Sequence, residues 1–240
     1  MSRKIAIVFG GSRGIGAACV EALAQDGYDV ALTYVANPPS TGGMIGEARI
    51  QAYRVEITEP ADVAQVFTDV ARDFGGAPHC VVANAGINVP PAPLAEFDPE
   101  NFRRLIEVNV VGAFNILQQA ARQVADGGTI IAVTTSLVRV AAPALGPYSA
   151  TKAAVECLVR SLSKELAARR VRVNAVAPGP VDTDLFRAGK DEEALKRSAA
   201  LSPFNRVGRP EEVAEVVRFL ASDRASWVHG QIVQPNGGLV

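Results

Sequence analysis

The chain has 240 residues, 48% of them hydrophobic, enough apolar material for one domain with a sizeable core. A formal net charge of -1, with Lys and Arg scattered rather than blocked, excludes a global attraction to nucleic acid or to an anionic membrane. Cys19, Cys80 and Cys157 form no C-x-x-C pair and have no histidine at metal-ligand spacing, so free thiols and no metal site are expected. The opening apolar run is too short for a membrane span and lacks a small-residue cleavage site, and with the thiols this gives a cytoplasmic expectation.

In chain order, residues 5–9, 30–34, 80–83, 129–134 and 171–177 are short, mostly apolar runs, as expected of strands buried on both faces of a parallel sheet. A last strand near 231–234 closes the edge. Helical patterns fill the intervals at 14–25, 62–74, 100–124 and 149–169. Strict alternation of the two kinds predicts an α/β, doubly wound Rossmann fold in a single domain over residues 1–240. Two segments stand apart. In 36–51, Pro38, Pro39, Gly42, Gly43 and Gly46 disfavour a long helix, and only a short crossover helix is expected. The polar stretch 182–210, with a helical piece in DEEALKRSAAL, has the character of a mobile flap over a site.

The stretch VFGGSRGIGAACVEAL runs from strand through glycine turn into helix, with Gly10, Gly14 and Gly16 spaced G-x-x-x-G-x-G. Glycines allow close backbone approach to a pyrophosphate, and the following helix N-terminus offers free N–H groups and a positive dipole. An acid at the end of the second strand would bind the ribose 2′-hydroxyl of NAD, but Tyr34 stands there. Arg13, inside the loop, could pair with a 2′-phosphate. NADP(H) is therefore favoured, with NAD(H) possible.

Tyr148 and Lys152 share the first turns of one helix, because Pro147 prevents a helix from running in from upstream and Val155, Leu158, Val159, Leu162 and Leu166 continue its apolar stripe. At i and i+4 the ammonium should favour the phenolate and lower a phenol pKa of about 10. A carbonyl accepting hydride needs a proton and a hydrogen bond that strengthens on its oxygen. Ser136, twelve residues before Tyr148 at the end of TTS, can give that bond. Thr135 competes, and strand alternation should turn only one of the two inward; Ser136 is preferred.

In these residues and in those that follow, the whole chain resembles the compact, single-domain short-chain dehydrogenase/reductases. GGSRGIG, with Ser12, Arg13 and Ile15 between the glycines, resembles their cofactor loop. Asn84, Ala85 and Gly86 resemble the NAG motif, VNV around Asn109 the catalytic asparagine segment, and Ser136, Tyr148 and Lys152 the other catalytic positions. PGPVDT, with Pro178, Gly179, Val181 and Thr183, resembles the segment holding the nicotinamide amide, and the C-terminal NGG the usual ending. The resemblance implies a seven-stranded, mostly parallel sheet of order 3-2-1-4-5-6-7. It implies Tyr148 as general acid, Ser136 as carbonyl polariser, Lys152 as ribose ligand lowering the Tyr148 pKa, and Asn109 as support for a relay water. Phe9 departs from the small hydroxyl residue usual before the glycines, and Glu56 from the aspartate usual near adenine.

His79 and His229 lack partner clusters and read as satisfied or surface histidines. Arg139 could hold an anionic substrate group or be a solvated rim charge, and Val89, Val138 and Leu145 suggest an apolar mouth. Resemblance to ketoacyl-carrier-protein reductases raises an acidic carrier as a partner, with Arg169 and Arg170 as a partial basic patch. The expected activity is NADPH-dependent reduction of a ketone or 3-oxoacyl group. Its rivals are an NAD-dependent alcohol dehydrogenase and a dinucleotide sensor without catalysis. As a family expectation, helices 100–124 and 149–169 pair between subunits of a homotetramer.

Overall fold

The computed structural model describes residues 3–36, 38 and 43–240. Its strands are β1 (Lys4–Phe9), β2 (Tyr28–Tyr34), β3 (Gly43–Ile45), β4 (Ala48–Arg54), β5 (Cys80–Ala83), β6 (Thr129–Val133), β7 (Arg172–Val176) and β8 (Ile232–Val233). They form one sheet of order β3-β4-β2-β1-β5-β6-β7-β8. Every pairing is parallel except β3 with β4. Without β3 the order is the one the resemblance implied, so the doubly wound architecture holds and gains an edge strand.

That extra strand corrects the short crossover helix expected over 36–51. Gly46, at φ +58°, and Glu47 make a tight turn, and Gly43–Ile45 folds back on β4 as a hairpin. A two-residue loop with glycine in the left-handed region suits this pairing. Residues 37 and 39–42 of that expectation lie outside the described residues.

The helices are α1 (Gly14–Gln25), α2 (Pro60–Phe74), α3 (Pro99–Ile106), α4 (Ala113–Gln123), α5 (Leu137–Val140), α6 (Gly146–Glu165), α7 (Asp184–Arg187), α8 (Glu192–Ala200) and α9 (Pro210–Ala221). Strand side chains alternate between two cores. Ile5, Ile7 and Phe9 pack with Phe67 of α2, Ile116 of α4 and Val159 of α6, while Ala6 and Val8 pack with Leu23 of α1 and Val217 of α9. The chain winds outward from β1 in one direction and then, from β5, in the other. The carboxyl ends of β1 and β5 thus flank the crevice where such sheets bind ligands.

The helical pattern over 100–124 is not one helix. A π segment, Glu107–Gly112, joins α3 to α4, and such segments occur often at functional positions. Helix α6 begins at Gly146 with Pro147 in its first turn, where the missing N–H costs nothing. Over 182–210 lie α7 and α8, and α8 buries none of its residues.

Candidate active site

The glycine loop is fixed by steric closeness. Gly10 sits at φ +72°, and a Cβ there would come within 2.9 Å of Ala85 Cα. A Cβ on Gly16 would lie 2.0 Å from the Gly10 carbonyl oxygen, and one on Gly14 3.1 Å from Thr183 Cγ2. Asn84 Nδ2 donates to the carbonyls of Phe9 (3.3 Å) and Gly10 (2.9 Å), so the NAG segment clamps the loop. From β2, Thr33 Oγ1 accepts from Gly10 N–H at 3.0 Å.

Arg13 is the N-cap of α1, in extended conformation, with no side-chain cap and no acid in the first turn. Ser12 is half-buried, Arg13 exposed, and Ile15 packs on the α1–α9 core. The N-terminal N–H groups of a twelve-residue helix are thus left to an anion, behind a cradle that side chains would fill. A dinucleotide pyrophosphate fits this arrangement. Tyr34 ends β2 and is aligned with Arg54 of β4. Arg54 Nε donates to the Val35 carbonyl at 3.1 Å, a second cation at this edge that the sequence reading missed.

The three hydroxyls after β6 have different fates. Thr134 Oγ1 donates to buried Glu156 Oε1 at 3.1 Å. Ser136 is fully buried, donates to the Ala177 carbonyl at 2.7 Å and accepts from Asn236 Nδ2 at 3.2 Å. Thr135 Oγ1 accepts from Leu137 N–H at 3.3 Å, and its own proton has no acceptor among the described residues. The preference for Ser136 as the carbonyl polariser thus falls on a hydroxyl engaged as donor and acceptor, whereas Thr135 keeps a free proton. The alternation behind that preference requires a strand through Ser136, but β6 stops at Val133 and Ser136 already has helical angles, φ -62° and ψ -17°. Ser136 instead ties the strand end to the C-terminal NGG.

Tyr148 is half-buried in the first turn of α6, and desolvation pushes its phenol up to about 12. Lys152, one turn on, is buried, donates from Nζ to the Val133 carbonyl at 3.1 Å, and is lowered by burial to about 8. The expected lowering of the phenol by the ammonium is therefore not what this structure has: burial dominates both groups and moves each toward its neutral form. Asn109, in the π segment, accepts from Ile87 N–H at 2.8 Å and donates to the Ile87 carbonyl at 2.9 Å. Its side chain is a clamp on the loop after β5. Gly86 lies where a Cβ would be 3.0 Å from Asn109 Oδ1 and 3.3 Å from Lys152 Nζ, which joins the NAG loop, the π segment and α6 at one point.

Around this centre, Pro178 accepts from Ser136 N–H at 2.9 Å through its carbonyl, and Gly179 N–H donates to the Pro235 carbonyl at 3.2 Å. Val181 is buried and bridges to Gly208. Thr183 caps α7 by accepting from Phe186 N–H at 3.2 Å. Glu56 turns its carboxylate to Thr58 N–H at 3.3 Å, a local turn contact. Val89 is buried after β5, Val138 lies in α5 and Leu145 leads into α6.

Arg139 has a partner within the fold. Its guanidinium fork is engaged by Glu156, Nη1 to Oε1 and Nη2 to Oε2, both 2.9 Å, so it is not a free anchor for an anionic substrate. Glu156 and Asn236 are the residues the sequence reading overlooked. For Glu156 a signal existed, since a carboxylate four residues after Lys152 falls on the same helix face, between the buried Val155 and Val159. Arg169 bonds Asp126 at 2.7 Å and the carbonyls of Ala121 and Val124. His79 and His229 each accept a strand N–H, of Ile5 and Val173, at 3.2 Å. Among the described residues there is no cluster suited to a metal ion and no helix long and apolar enough to cross a membrane.

A dinucleotide cradle beside a buried lysine, a phenol and a hydroxyl defines a nicotinamide-dependent oxidoreductase. The chain belongs to the short-chain dehydrogenase/reductase family: the family model described as Enoyl-(Acyl carrier protein) reductase matches residues 10–240. It is 40% identical to a short-chain type dehydrogenase/reductase of Picea abies, covering 99% of this chain and 92% of that one. It is 37% identical to an NADPH-dependent aldehyde reductase-like protein, chloroplastic, of Arabidopsis thaliana, covering 100% and 95%. Among solved structures, a blue fluorescent protein from a metagenomic library, in complex with NADPH, superposes with a TM-score of 0.89 at 33% identity, covering 99% and 98%.

Proposed function

We propose that this protein is an NADPH-dependent reductase of small, uncharged carbonyl compounds, ketones or aldehydes. The observation that carries the reading is Thr135, the one hydroxyl of its run with an uncommitted proton, adjacent to Thr134, which bonds Glu156 of the helix that bears Tyr148 and Lys152. When bound in the crevice beside β1 and β5, a reduced nicotinamide would supply the hydride. Thr135 donates a hydrogen bond to the carbonyl oxygen, which strengthens as negative charge develops. Tyr148, a phenol protonated at neutral pH and pushed further up to about 12 by desolvation, delivers the proton to that oxygen. Lys152 is the cation nearest in sequence to the phenolate so formed, and below a pH of about 8 it is charged. Asn109 keeps the Ile87 backbone against this centre.

Gly10, Gly14, Gly16 and the start of α1 would hold the pyrophosphate, Arg13 the 2′-phosphate, and Pro178 to Thr183 the nicotinamide side. Tyr34 in place of an acid and Arg54 beside it favour the phosphorylated cofactor. The Arabidopsis relative is named NADPH-dependent and the metagenomic neighbour holds NADPH, which supports the same choice. Engagement of Arg139 by Glu156 leaves the mouth near Val89, Val138 and Leu145 suited to neutral carbonyls. A 3-oxoacyl group on a carrier protein finds less support, because Arg169 is spent internally. Exposed Phe102 and Phe114, on α3 and α4, support association of subunits through those helices.

The test is NADPH oxidation with a panel of neutral ketones and aldehydes. The wild type should turn over at least one of them, with kcat falling by about 1,000-fold in Tyr148→Phe. Turnover no higher than in Tyr148→Phe, or tighter binding of NADH than of NADPH, contradicts the proposal.

A further inference from the structure

The hydroxyl and the phenol that the proposed chemistry uses lie on different segments, and their spacing has to be set by something. Thr135 lies just before α5, and Tyr148 opens α6. Apolar packing does not set their distance from the α5 side, since α5 has four residues and buries none of them. The connector does not set it by local preference either. Ala141 at φ +53° and Ala144 at φ +65° hold left-handed conformations that alanine disfavours. Such angles persist only where surrounding contacts impose them.

The contact present is ionic. Arg139 of α5 grips Glu156 of α6 by two bonds of 2.9 Å. The Glu156 side chain is 2% exposed and that of Arg139 31%, so the carboxylate is desolvated and the fork covers it. Thr134, adjacent to Thr135, donates to the same carboxylate at 3.1 Å. Glu156 lies one helical turn beyond Lys152 and two beyond Tyr148, on the buried face of α6. Two groups, the Thr134 hydroxyl and the Arg139 guanidinium, therefore converge on one carboxylate of α6 from either side of Thr135 in the chain. A paired, hydrogen-bonded buried charge of this kind contributes little net stability over an apolar pair, but fixes geometry at two points.

We propose that Arg139, Glu156 and Thr134 are positioning residues that set the spacing between the Thr135 hydroxyl and the Tyr148 phenol. The inference rests on the reductase reading of those two groups. It predicts a loss in kcat rather than in cofactor binding, because the clamp touches the hydroxyl segment and α6 but not the glycine loop.

The decisive variant is Arg139→Met/Glu156→Leu, which removes both charges at similar volume and should leave Tm near wild type. Its kcat for the best carbonyl should fall between about 10- and 100-fold, as small misplacements of reacting groups do, with the KM for NADPH within about twofold. Glu156→Gln, which keeps an acceptor for Thr134 and Arg139, should recover part of that loss. If the double variant does not fold, Arg139→Lys keeps the charge and loses the two-point grip, and should lower kcat by about fivefold or more at unchanged NADPH KM. An active wild type with either folded variant at wild-type kcat overturns the clamp alone, as does a loss confined to NADPH KM. A wild type without NADPH-dependent turnover overturns the reductase reading and the clamp together.

Discussion

The glycine loop and the Thr134–Ser136 run lie at the same edge of the sheet but are held by different kinds of constraint. In the loop, backbone meets backbone: Gly16 lies against the Gly10 carbonyl and Gly10 against Ala85, and only residues without a Cβ satisfy that closeness. In the hydroxyl run, side chains choose among partners distant in sequence, Ala177 and Asn236 for Ser136 and Glu156 for Thr134. The first constraint is written in residue identity at fixed spacing. The second depends on where β6 ends and on what the fold brings beside it.

If that contrast is right, the largest effect belongs to Gly16→Ala. The added Cβ forces the loop out of its cradle, and restoring the cradle on binding costs about 3 kcal/mol of overpacking, equivalent to roughly 100-fold in NADPH Kd by fluorescence titration. Gly76→Ala, whose new Cβ would find only Ile5 Cδ1 at 3.8 Å, should bind as wild type. Equal behaviour of the two variants contradicts the steric account of the loop. Arg13→Ala tests the charge on the same loop. Loss of a charge-assisted bond to a 2′-phosphate should weaken NADPH by about 10- to 100-fold and leave NADH nearly unchanged, and an equal loss for both cofactors removes Arg13 from the choice between them.

A further effect is one of pH on the catalytic side. Burial lowers Lys152 from 10.5 to about 8, so between these values the unfolded chain binds more protons than the folded one, and this residue's contribution to stability rises with pH. Below about 8 the full penalty of a buried ammonium remains. Lys152→Met lacks that penalty. The stability excess of this variant over wild type, from urea unfolding, should therefore be greatest at pH 7 and shrink toward pH 10. A difference independent of pH shows that Lys152 is not desolvated as described.

The same contrast explains what the sequence disclosed. Strands β1 and β5 could be read nearly to the residue because runs buried on both faces are continuously apolar, and α6 because Pro147 marks its first turn. The hairpin of β3 and β4 could not, since an edge strand with half-exposed side chains carries no such run and its glycines look like helix breakers. The π segment at Asn109 is silent in a search for 3.6-residue periodicity. Tyr148, Lys152 and Asn109 were legible as residues, but not the electrostatics: the i,i+4 spacing suggested an ammonium lowering a phenol, while burial raises the phenol and lowers the amine. Choosing between Thr135 and Ser136 required contacts reaching 41 and 100 residues along the chain, which no local pattern encodes.

Thr135→Ala and Ser136→Ala, assayed side by side for NADPH-dependent carbonyl reduction and for Tm, test the central claim most directly. Thr135→Ala should lose about 100-fold or more in kcat, as removal of one donor to a developing oxyanion does, at nearly native Tm. Ser136→Ala should keep kcat within about threefold and lose about 1–3 kcal/mol of stability from the orphaned Ala177 and Asn236 partners. The reverse, a catalytic loss in Ser136→Ala with Thr135→Ala still active, contradicts the account.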